Sequence, residues 1–345
     1  MRIATYNVEW FNELFDDEGA LLQDEGWSGR HDVSRAQQIE ALGLVFAALD
    51  ADAIMVIEAP DDNRRRSTKT ALQGFARHFG LRAKATLLGF QNDTQQEIAL
   101  MYDPAVMTAR HAPLGQSTGK KGSALSPRFD STFRIDLDVD AKEDLVTFSK
   151  PPLEVEAVLK SGPVLRLVGA HLKSKAPHGA RSEAEAMALS IENRRKQLAQ
   201  AIWLRQRLED HLKAEESLIL LGDLNDGPGL DQYEDLFGRS SVEIVMGEAG
   251  GEAGEHCLFD PHARLGLQRR LGATPTTARF FIREHGRYLQ ALLDYIMVSP
   301  DLLAKAPVWR IWHPFDDPEC WRNTALRDAL LLASDHFPVT LDIDL

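Results

Sequence analysis

Cysteine is scarce in this 345-residue chain, which contains only Cys257 and Cys320. Two thiols without metal-type spacing cannot form a disulfide framework or a cysteine-rich zinc site. No apolar run reaches the length of a membrane span. The apolar stretch at the start, MRIATYNVEWF, is too short for a secretion signal and soon becomes acidic. We therefore expect a cytoplasmic protein with reduced, structural cysteines and no transmembrane segment.

Basic charge is not in excess either. The chain has 52 acidic and 39 basic residues, a formal net charge of −13 and a pI near 5.3. This balance disfavours broad, non-specific duplex binding, which relies on a basic surface. It leaves room for nucleic acid contacts through a local basic patch or a bound metal ion.

Several well-known catalytic motifs are also missing from the sequence. We find no G-x-S-x-G nucleophile elbow. A P-loop, an H-E-x-x-H pair and a Rossmann glycine pattern are absent as well. These absences disfavour a serine hydrolase and the nucleotide-binding and zinc-peptidase classes that those motifs define.

Hydrophobic periodicity predicts alternating strands and helices. Ser34 and Gln37 fit a capping box at the start of the first helix. The patterns predict further helices near 68–79 and 182–213, and strands at 2–8, 82–88, 97–102 and in DAIMVIEA, PVLRLVGAHLKSK, SLILLGDLN and YLQALLDYIMVS. FRIDLDVD and LEVEAVLK are predicted to form an outer hairpin, and 113–131 and 246–256 to be loops, the second one mobile. With no clear linker and no repeat, we expect one layered α/β domain over residues 1–345, acting as a monomer.

Polar residues stand where the buried strands end. In LLGDLND, Asp223 and Asn225 are two residues apart, so in extended backbone their side chains face the same way. In layered α/β folds, strand ends are where sites assemble. The other polar residues at such positions are Asn7, Glu9, Glu58, His171 and Asp294, with Asp335 and His336 just before the last strand.

This set of side chains favours one kind of chemistry. Carboxylates and an amide without thiolates suit a hard cation such as Mg²⁺ or Mn²⁺. Imidazoles beside carboxylates suit proton transfer and stabilisation of an oxyanion. The reaction that fits best is metal-assisted attack of water on a phosphoester.

Six segments, in order, carry a resemblance to a known family: TYNVEWF, MVIEAP, VGAHLKSK, LLGDLND, LLDYIMVS and SDHFPV. The chain resembles the endonuclease/exonuclease/phosphatase superfamily, which includes deoxyribonuclease I-like enzymes. The resemblance implies a four-layer α/β sandwich with two packed mixed β-sheets flanked by helices and a site at one edge. It implies that Asn7 orients the site and that Glu58 is the principal metal-binding residue, with Glu9 and Asp335 as further metal-side carboxylates.

The same resemblance implies catalytic roles for the remaining residues. Asp223 would position or activate the attacking water, Asn225 would help to hold the phosphate, and His171 would contact the phosphate oxygens. Asp294 would orient and charge His336, which acts on the phosphate. Independently of the resemblance, a carboxylate inside the apolar strand LLDYIMV is costly unless it is paired. Together with the role that the resemblance implies for His336, this cost predicts a hydrogen bond between Asp294 and His336.

The chain departs from the family pattern at two positions: Ile57 stands where many members have Gln, and Glu9 where Asp is common. Lys173 in HLKSK is either a solvated charge or a substrate-binding contact to phosphate. These features leave open a nuclease, a phosphatase or phosphodiesterase acting on a small molecule or lipid headgroup, and a non-catalytic binding module. The intact polar set argues against the third. HLKSK and the basic stretch DDNRRRSTK favour the first, while the acidic balance favours the second.

Overall fold

The computed structural model describes residues 1–92, 96–136, 143–177, 179–227, 238–248, 256–268, 274–282 and 286–345. Within them the strands are β1 (Arg2–Asn7), β2 (Ala53–Ala59), β3 (Ala85–Leu88), β4 (Glu97–Tyr102), β5 (Met107–His111), β6 (Phe133–Ile135), β7 (Asp144–Val146), β8 (Leu153–Leu159), β9 (Val164–His171), β10 (Leu218–Asp223), β11 (Ala278–Ile282), β12 (Arg287–Ala291), β13 (Asp294–Val298), β14 (Val308–Ile311) and β15 (Val339–Asp342).

The helices of the described residues vary widely in length. They are α1 (Arg35–Leu49), α2 (Thr68–His78), α3 (Glu183–Lys213), α4 (Ser241–Met246), α5 (Pro261–Leu267), α6 (Pro300–Leu303), α7 (Pro318–Arg322) and α8 (Thr324–Ala333), with 3₁₀ turns at Phe11–Leu14 and Gly119–Lys121. The predicted capping box is present, because Ser34 caps α1 and Gln37 returns the hydrogen bond. Ser182 caps α3 in a similar way, by accepting from the backbone of Glu185.

Two mixed sheets form the centre of the molecule. One has the strand order β14-β15-β1-β2-β4-β3, and the other has the order β13-β10-β9-β8-β5. Strand β1 runs parallel to β2 and antiparallel to β15. In the second sheet, β10 runs parallel to β9 and antiparallel to β13.

Alternating side chains along the strands explain how the layers pack. On β1 and β2, Ile3, Met55 and Ile57 face the core between the sheets, where they meet Leu167 and Leu221 of the other sheet. The alternate residues, such as Ala4, Tyr6, Ile54 and Val56, face outward and pack against α1, α2 and α8. The outer face of the second sheet packs against α3 and α4 in the same way. This arrangement is the predicted four-layer α/β sandwich.

Two strand predictions were wrong. The described part of FRIDLDVD contains β6, which pairs with β7 in a small separate sheet, whereas β8 lies in the second sheet between β5 and β9. Within the described residues the two stretches therefore form no hairpin, and residues 137–140 lie outside that part of the chain. The stretch YLQALLDYIMVS contains two strands, because β12 pairs with β11 and β13 pairs with β10. The Thr277 hydroxyl accepts from the backbone amides of Leu293 and Asp294, at 3.0 Å each, at the point where the chain changes sheet.

The structure also tests the two predicted loops and the boundary of one predicted strand. The strand expected at 82–88 is restricted to Ala85–Leu88. Residues 113–131 have no regular structure apart from the 3₁₀ turn at Gly119–Lys121. Most of the loop expected at 246–256 lies outside the described residues.

Candidate active site

The ends of β1, β2, β9 and β10 open into one cavity of about 910 Å³. Nine of the ten site residues predicted from the sequence line this cavity: Asn7, Glu9, Glu58, His171, Lys173, Asp223, Asn225, Asp335 and His336. The tenth, Asp294, lies behind His336 and reaches the cavity through it. The structure therefore brings residues from the whole length of the chain to one edge of the two sheets.

The backbone at Glu58 is irregular in a way that sets the direction of its side chain. Glu58 has a φ of 63°, and the pairing of β2 with β4 shifts register between Ile57 and Ala59. A non-glycine residue in this conformation is uncommon and costs free energy, and such bulges are frequent beside active sites. Because of the bulge, the side chain of Glu58 does not follow the regular alternation of side chains along β2. It lies at the rim of the cavity instead.

Asp223 lies at the centre of the site. Its carboxylate accepts hydrogen bonds from Asn7 Nδ2 at 3.0 Å, from the backbone amide of Asn225 at 2.7 Å and from Asn225 Nδ2 at 3.3 Å. The preceding Gly222 has a φ of 140°, and a Cβ there would lie 2.0 Å from the carbonyl oxygen of Ala170. Burial, reinforced by the charge of Asp294, raises the pKa of Asp223 to about 7.

The predicted pair of Asp294 and His336 is present. His336 Nδ1 lies 2.7 Å from Asp294 Oδ2, and both residues are buried. Burial disfavours the imidazolium, but the carboxylates of Asp294 and Asp223 outweigh it and hold the pKa of His336 well above its ordinary value. His336 Nε2 faces Asp223 Oδ2 at 4.0 Å.

Ser334 ties together the two ends of the chain that build this site. Its hydroxyl donates to the carbonyl oxygen of Asn7 at 2.8 Å and accepts from the backbone amides of Glu9 and His336, each at 3.2 Å. Ser334 was not singled out in the sequence, although it is the first residue of SDHFPV. The serine keeps the segments of Asn7 and His336 in register.

The carboxylates of Glu9, Glu58 and Asp335 also line the cavity. Burial raises the pKa of Glu58, and Glu9 adds to this effect. Burial also raises the pKa of Asp335 to about 7, with Glu9 and Glu58 acting in the same direction. Among the described residues, the buried atoms Asp335 Oδ1 and Asn7 Oδ1 have no hydrogen-bond partner. Buried oxygens without donors, beside mutually repelling carboxylates, are the surroundings that a hard cation fits.

A second group of ligand-type atoms lies close by. Asp223, Asp294 and His336 offer such atoms within 4.8 Å of one another. Within this group, Nδ1 of His336 is already engaged by Asp294 at 2.7 Å, so that nitrogen is not free to bind a metal ion. The donor set around Glu58 and Asp335, which contains only oxygen, suits Mg²⁺ or Mn²⁺ better.

Two residues that the sequence analysis missed, Gln96 and Lys150, reach the site from neighbouring loops. Gln96 Nε2 donates to Glu58 Oε2 at 2.6 Å, and Lys150 Nζ donates to Gln96 Oε1. Lys150 Nζ also lies 3.3 Å from His171 Nδ1. Burial lowers the pKa of Lys150 while Glu58 and Asp223 oppose that effect. Burial and the charge of Lys150 together lower the pKa of His171 well below its ordinary value.

The walls of the cavity differ in character. One side carries Lys150, Lys173 and Lys175, of which Lys175 Nζ is held by Asp226 Oδ1 at 2.6 Å. The other side is apolar and comes from the hairpin of β11 and β12 together with Leu293. Its cavity-lining residues are Phe280, Ile282, Leu289, Ala291 and Leu293. A ligand in this cavity would meet cations on one side and apolar side chains on the other.

Comparisons with known proteins identify the family of the chain. The model of the Endonuclease/Exonuclease/phosphatase family matches residues 4–336. The chain therefore belongs to that family, whose name covers phosphoester hydrolases. None of the helices in the described residues combines the length and hydrophobicity that crossing a bilayer requires. No curated protein matches the sequence.

Solved structures match the chain at low sequence identity, and the first of them shows the same fold. A truncated TDP2 of Caenorhabditis elegans is 11% identical with a TM-score of 0.51, over 100% of this chain and 97% of that chain. A humanised TDP2 of D. rerio is 14% identical, with a TM-score of 0.49 and coverage of 100% and 99%. An AP endonuclease from Archaeoglobus fulgidus is 12% identical, with a TM-score of 0.48 and coverage of 100% of both chains.

Proposed function

We propose that this chain is a phosphodiesterase that depends on Mg²⁺ or Mn²⁺, with a nucleic acid as its first candidate substrate. One observation carries the proposal: Asp223 lies between two histidines of opposite electrostatic character, beside a group of carboxylates in the same cavity. His336 is paired with the carboxylate of Asp294, whereas His171 is next to the ammonium of Lys150. Such a set serves attack on a phosphoester better than simple binding of a ligand.

Glu58 and Asp335 would hold the metal ion, with the free oxygen of Asn7 beside them. Glu9 would act at longer range, because its carboxylate oxygens accept from Trp10 Nε1 at 2.9 Å and from Arg30 Nη1. Bound there, a divalent cation would offset the charge of the phosphate and polarise its P–O bonds.

The protein groups have separate tasks in the proposed reaction. Asp223, with its raised pKa, accepts a proton from the attacking water. His336, kept protonated by Asp294, stabilises the charge that develops on the phosphate or protonates the leaving oxygen. Asn7 and Asn225 hold the Asp223 carboxylate in place through their hydrogen bonds.

His171 and Lys173 are the remaining predicted groups on this surface. His171 Nε2 lies 3.6 Å from Asp223 Oδ2, so an oxygen of the substrate phosphate can be placed within reach of both the ring and the attacking water. Lys173 lines the same cavity and would contact a phosphate oxygen as a point charge.

The two walls of the cavity support two candidate substrates. The lysines favour a polyanion such as DNA or RNA, and nucleobases also fit an apolar surface. The second candidate is a small-molecule or lipid-headgroup phosphoester. The apolar wall of Phe280 and Leu289 fits such a substrate as well as a nucleobase, and the net charge of −13 favours this alternative.

A substrate panel tests the proposal and separates the candidates. The full-length protein is incubated with plasmid DNA, RNA, phosphoinositide vesicles and sphingomyelin vesicles, with Mg²⁺ or with EDTA. The Asp223→Asn variant, purified in parallel, reports any contaminating activity. Metal-dependent hydrolysis of DNA or RNA that this variant lacks would support the nuclease. Hydrolysis of only a lipid would support the second candidate, and no hydrolysis of any phosphoester would contradict the proposal.

A further inference from the structure

The contact between Lys150 and His171 determines which nitrogen of the histidine carries a proton. Lys150 Nζ lies 3.3 Å from His171 Nδ1. An ammonium group only donates hydrogen bonds, so Nδ1 must accept, and the proton of the neutral ring must be on Nε2. We propose that Lys150 is a positioning residue that fixes His171 as its Nε2–H tautomer and thereby makes it a hydrogen-bond donor to a substrate phosphate. The identity of the acceptor rests on the proposed function.

The groups around Lys150 show that Lys150 is the donor in its contact with His171. The carboxylate of Glu58 can only accept when ionised, so the group of Gln96 that faces it at 2.6 Å must be the amide nitrogen. The amide oxygen of Gln96 therefore faces Lys150 Nζ and accepts from it. Lys150 is thus held by one acceptor while it donates to a second one, His171. A flipped amide would leave the oxygen of Gln96 against a carboxylate and its nitrogen against an ammonium.

The other nitrogen of His171 points at the place where a substrate would bind. Nε2 lies 3.6 Å from Asp223 Oδ2 and 3.9 Å from Glu58 Oε1, both longer than an ordinary hydrogen bond. Among the described residues, Nε2 has no hydrogen-bond partner. The Nε2–H group is therefore available for an anionic oxygen between these two carboxylates.

The two histidines of the site would then have different tasks. His336 pairs with the carboxylate of Asp294, which favours its charged form, so it can release a proton. His171 pairs with an ammonium and stays neutral, so it can donate a hydrogen bond without exchanging its proton. Active sites give two titratable groups separate roles by placing them in environments that shift their pKa values in opposite directions.

Nuclear magnetic resonance of the full chain labelled with ¹⁵N-histidine tests the tautomer directly, without substrate and at one near-neutral pH. We expect His171 to show a protonated Nε2 and an unprotonated Nδ1. Lys150→Met should give a mixture of the two tautomers, so that Nδ1 carries the proton in part of the molecules. Lys173→Met, which removes a cation from the same wall but no contact to His171, should leave the tautomer unchanged. A protonated Nδ1 in the wild-type protein, or an unchanged tautomer in Lys150→Met, would overturn the inference.

A second variant covers the case in which Lys150→Met fails to fold. Gln96→Leu removes the amide that holds Lys150 and keeps the lysine itself. It should shift His171 towards the Nδ1–H form as well, although less completely. If His171 of Gln96→Leu kept the tautomer of the wild-type protein, the proposed donation from Lys150 to Gln96 and His171 would be contradicted.

Kinetics distinguish positioning from direct phosphate binding by Lys150. His171→Gln places an amide N–H near the position of Nε2 and cannot tautomerise. Lys150→Met should lower kcat about tenfold in the wild-type background, as a weakened donor to the phosphate should. In the His171→Gln background it should change kcat by less than about twofold. Equal losses in both backgrounds would mean that Lys150 acts on the phosphate itself, which contradicts the inference.

The two proposals fail in distinguishable ways. If the wild-type protein hydrolyses no phosphodiester, the proposed function is wrong, and the resonance experiment still decides the tautomer. If activity is present and the tautomer does not respond to Lys150, only the inference about Lys150 is wrong.

Discussion

His336 Nδ1 and Asp294 Oδ2 are 2.7 Å apart, although the two residues are 42 positions apart in the sequence. Asp294 begins β13 of the five-stranded sheet, and His336 precedes β15 of the six-stranded sheet. The pair therefore joins the two sheets at the rim of the active site. Its proposed function depends on both members, because a carboxylate alone cannot donate a proton and an unpaired imidazole would lose most of its charge.

The first prediction is that these two residues behave as one unit. His336→Ala should lower kcat by about 10²-fold or more, as the loss of a general acid–base group usually does. Adding Asp294→Ala to that variant should cost little further. The measurement is a double-mutant cycle on kcat with the best substrate of the panel. Full additivity of the two losses would show that the residues act independently.

The second prediction concerns the pH profile of kcat/KM, measured with saturating Mg²⁺. The proposed reaction needs an ionised Asp223 and a protonated His336, so activity should rise through the pKa of the first and fall through that of the second. The charge of Asp294 raises the pKa of both groups. Asp294→Asn removes that charge and should therefore shift both limbs to lower pH.

The control for this experiment is Asp328→Asn, which removes an exposed carboxylate on α8. This variant should keep the profile of the wild-type protein. An Asp294→Asn profile with limbs that stay in place or move to higher pH would contradict the assigned roles.

The third prediction concerns the metal ion. Chelation with EDTA should abolish activity, and added Mg²⁺ or Mn²⁺ should restore it. Glu58→Gln removes one hard anionic ligand and should raise the metal concentration for half-maximal activity by about tenfold or more. Glu40→Gln, an exposed change on α1, is the matched control and should have no effect. Full activity in EDTA would show that the carboxylate group does not hold a required metal.

Much of this site could be predicted from the sequence, because its residues follow buried strands. A carboxylate at Asp294 within apolar neighbours needs a partner, and the family resemblance identified that partner as His336. The same reasoning could not find Lys150. It lies between β7 and β8 in a stretch without periodicity, and its role depends on contacts to Gln96 and His171 that are distant in sequence.

The errors in the fold have a similar cause. Alternation along LEVEAVLK predicts a strand but does not identify its partner, and β8 pairs with β5 and β9 rather than with β6. In YLQALLDYIMVS, continuous apolar character hides the change of partner between β12 and β13. The hydroxyl of Thr277, which binds the backbone at that change, comes from a segment before β11. Strand pairing is a property of the assembled sheets, and one sequence carries only part of it.

The fourth prediction separates catalysis from binding at Asp223. Asp223→Asn keeps the size of the side chain but removes the group that accepts a proton from water. It should lower kcat by about 10²-fold or more and leave KM nearly unchanged, because the contribution arises mainly in the transition state. Thermal melting of the variant checks that the fold is intact. A normal kcat with a raised KM would mean that Asp223 only binds substrate.

The last prediction uses two neighbouring residues of β12 to test the apolar wall. Leu289 lines the cavity and is 47% exposed, whereas Tyr288 is 50% exposed and packs on the other face of the hairpin against Arg279 and Phe281. Both can be changed to Asn with a similar loss of exposed apolar surface. A substrate that rests on the wall loses apolar contact only in Leu289→Asn.

For that reason Leu289→Asn should raise KM about fivefold, which corresponds to partial loss of one buried apolar side chain. Tyr288→Asn should leave KM and kcat close to their wild-type values. The measurement uses two p-nitrophenyl phosphodiesters with the same leaving group, one bearing a nucleoside and one bearing a methyl group. The effect of Leu289→Asn should be large for the nucleoside ester and small for the methyl ester, because the methyl group is too short to reach the wall. Equal effects on both esters, or equal effects of the two variants, would show that this face of the hairpin does not contact the substrate.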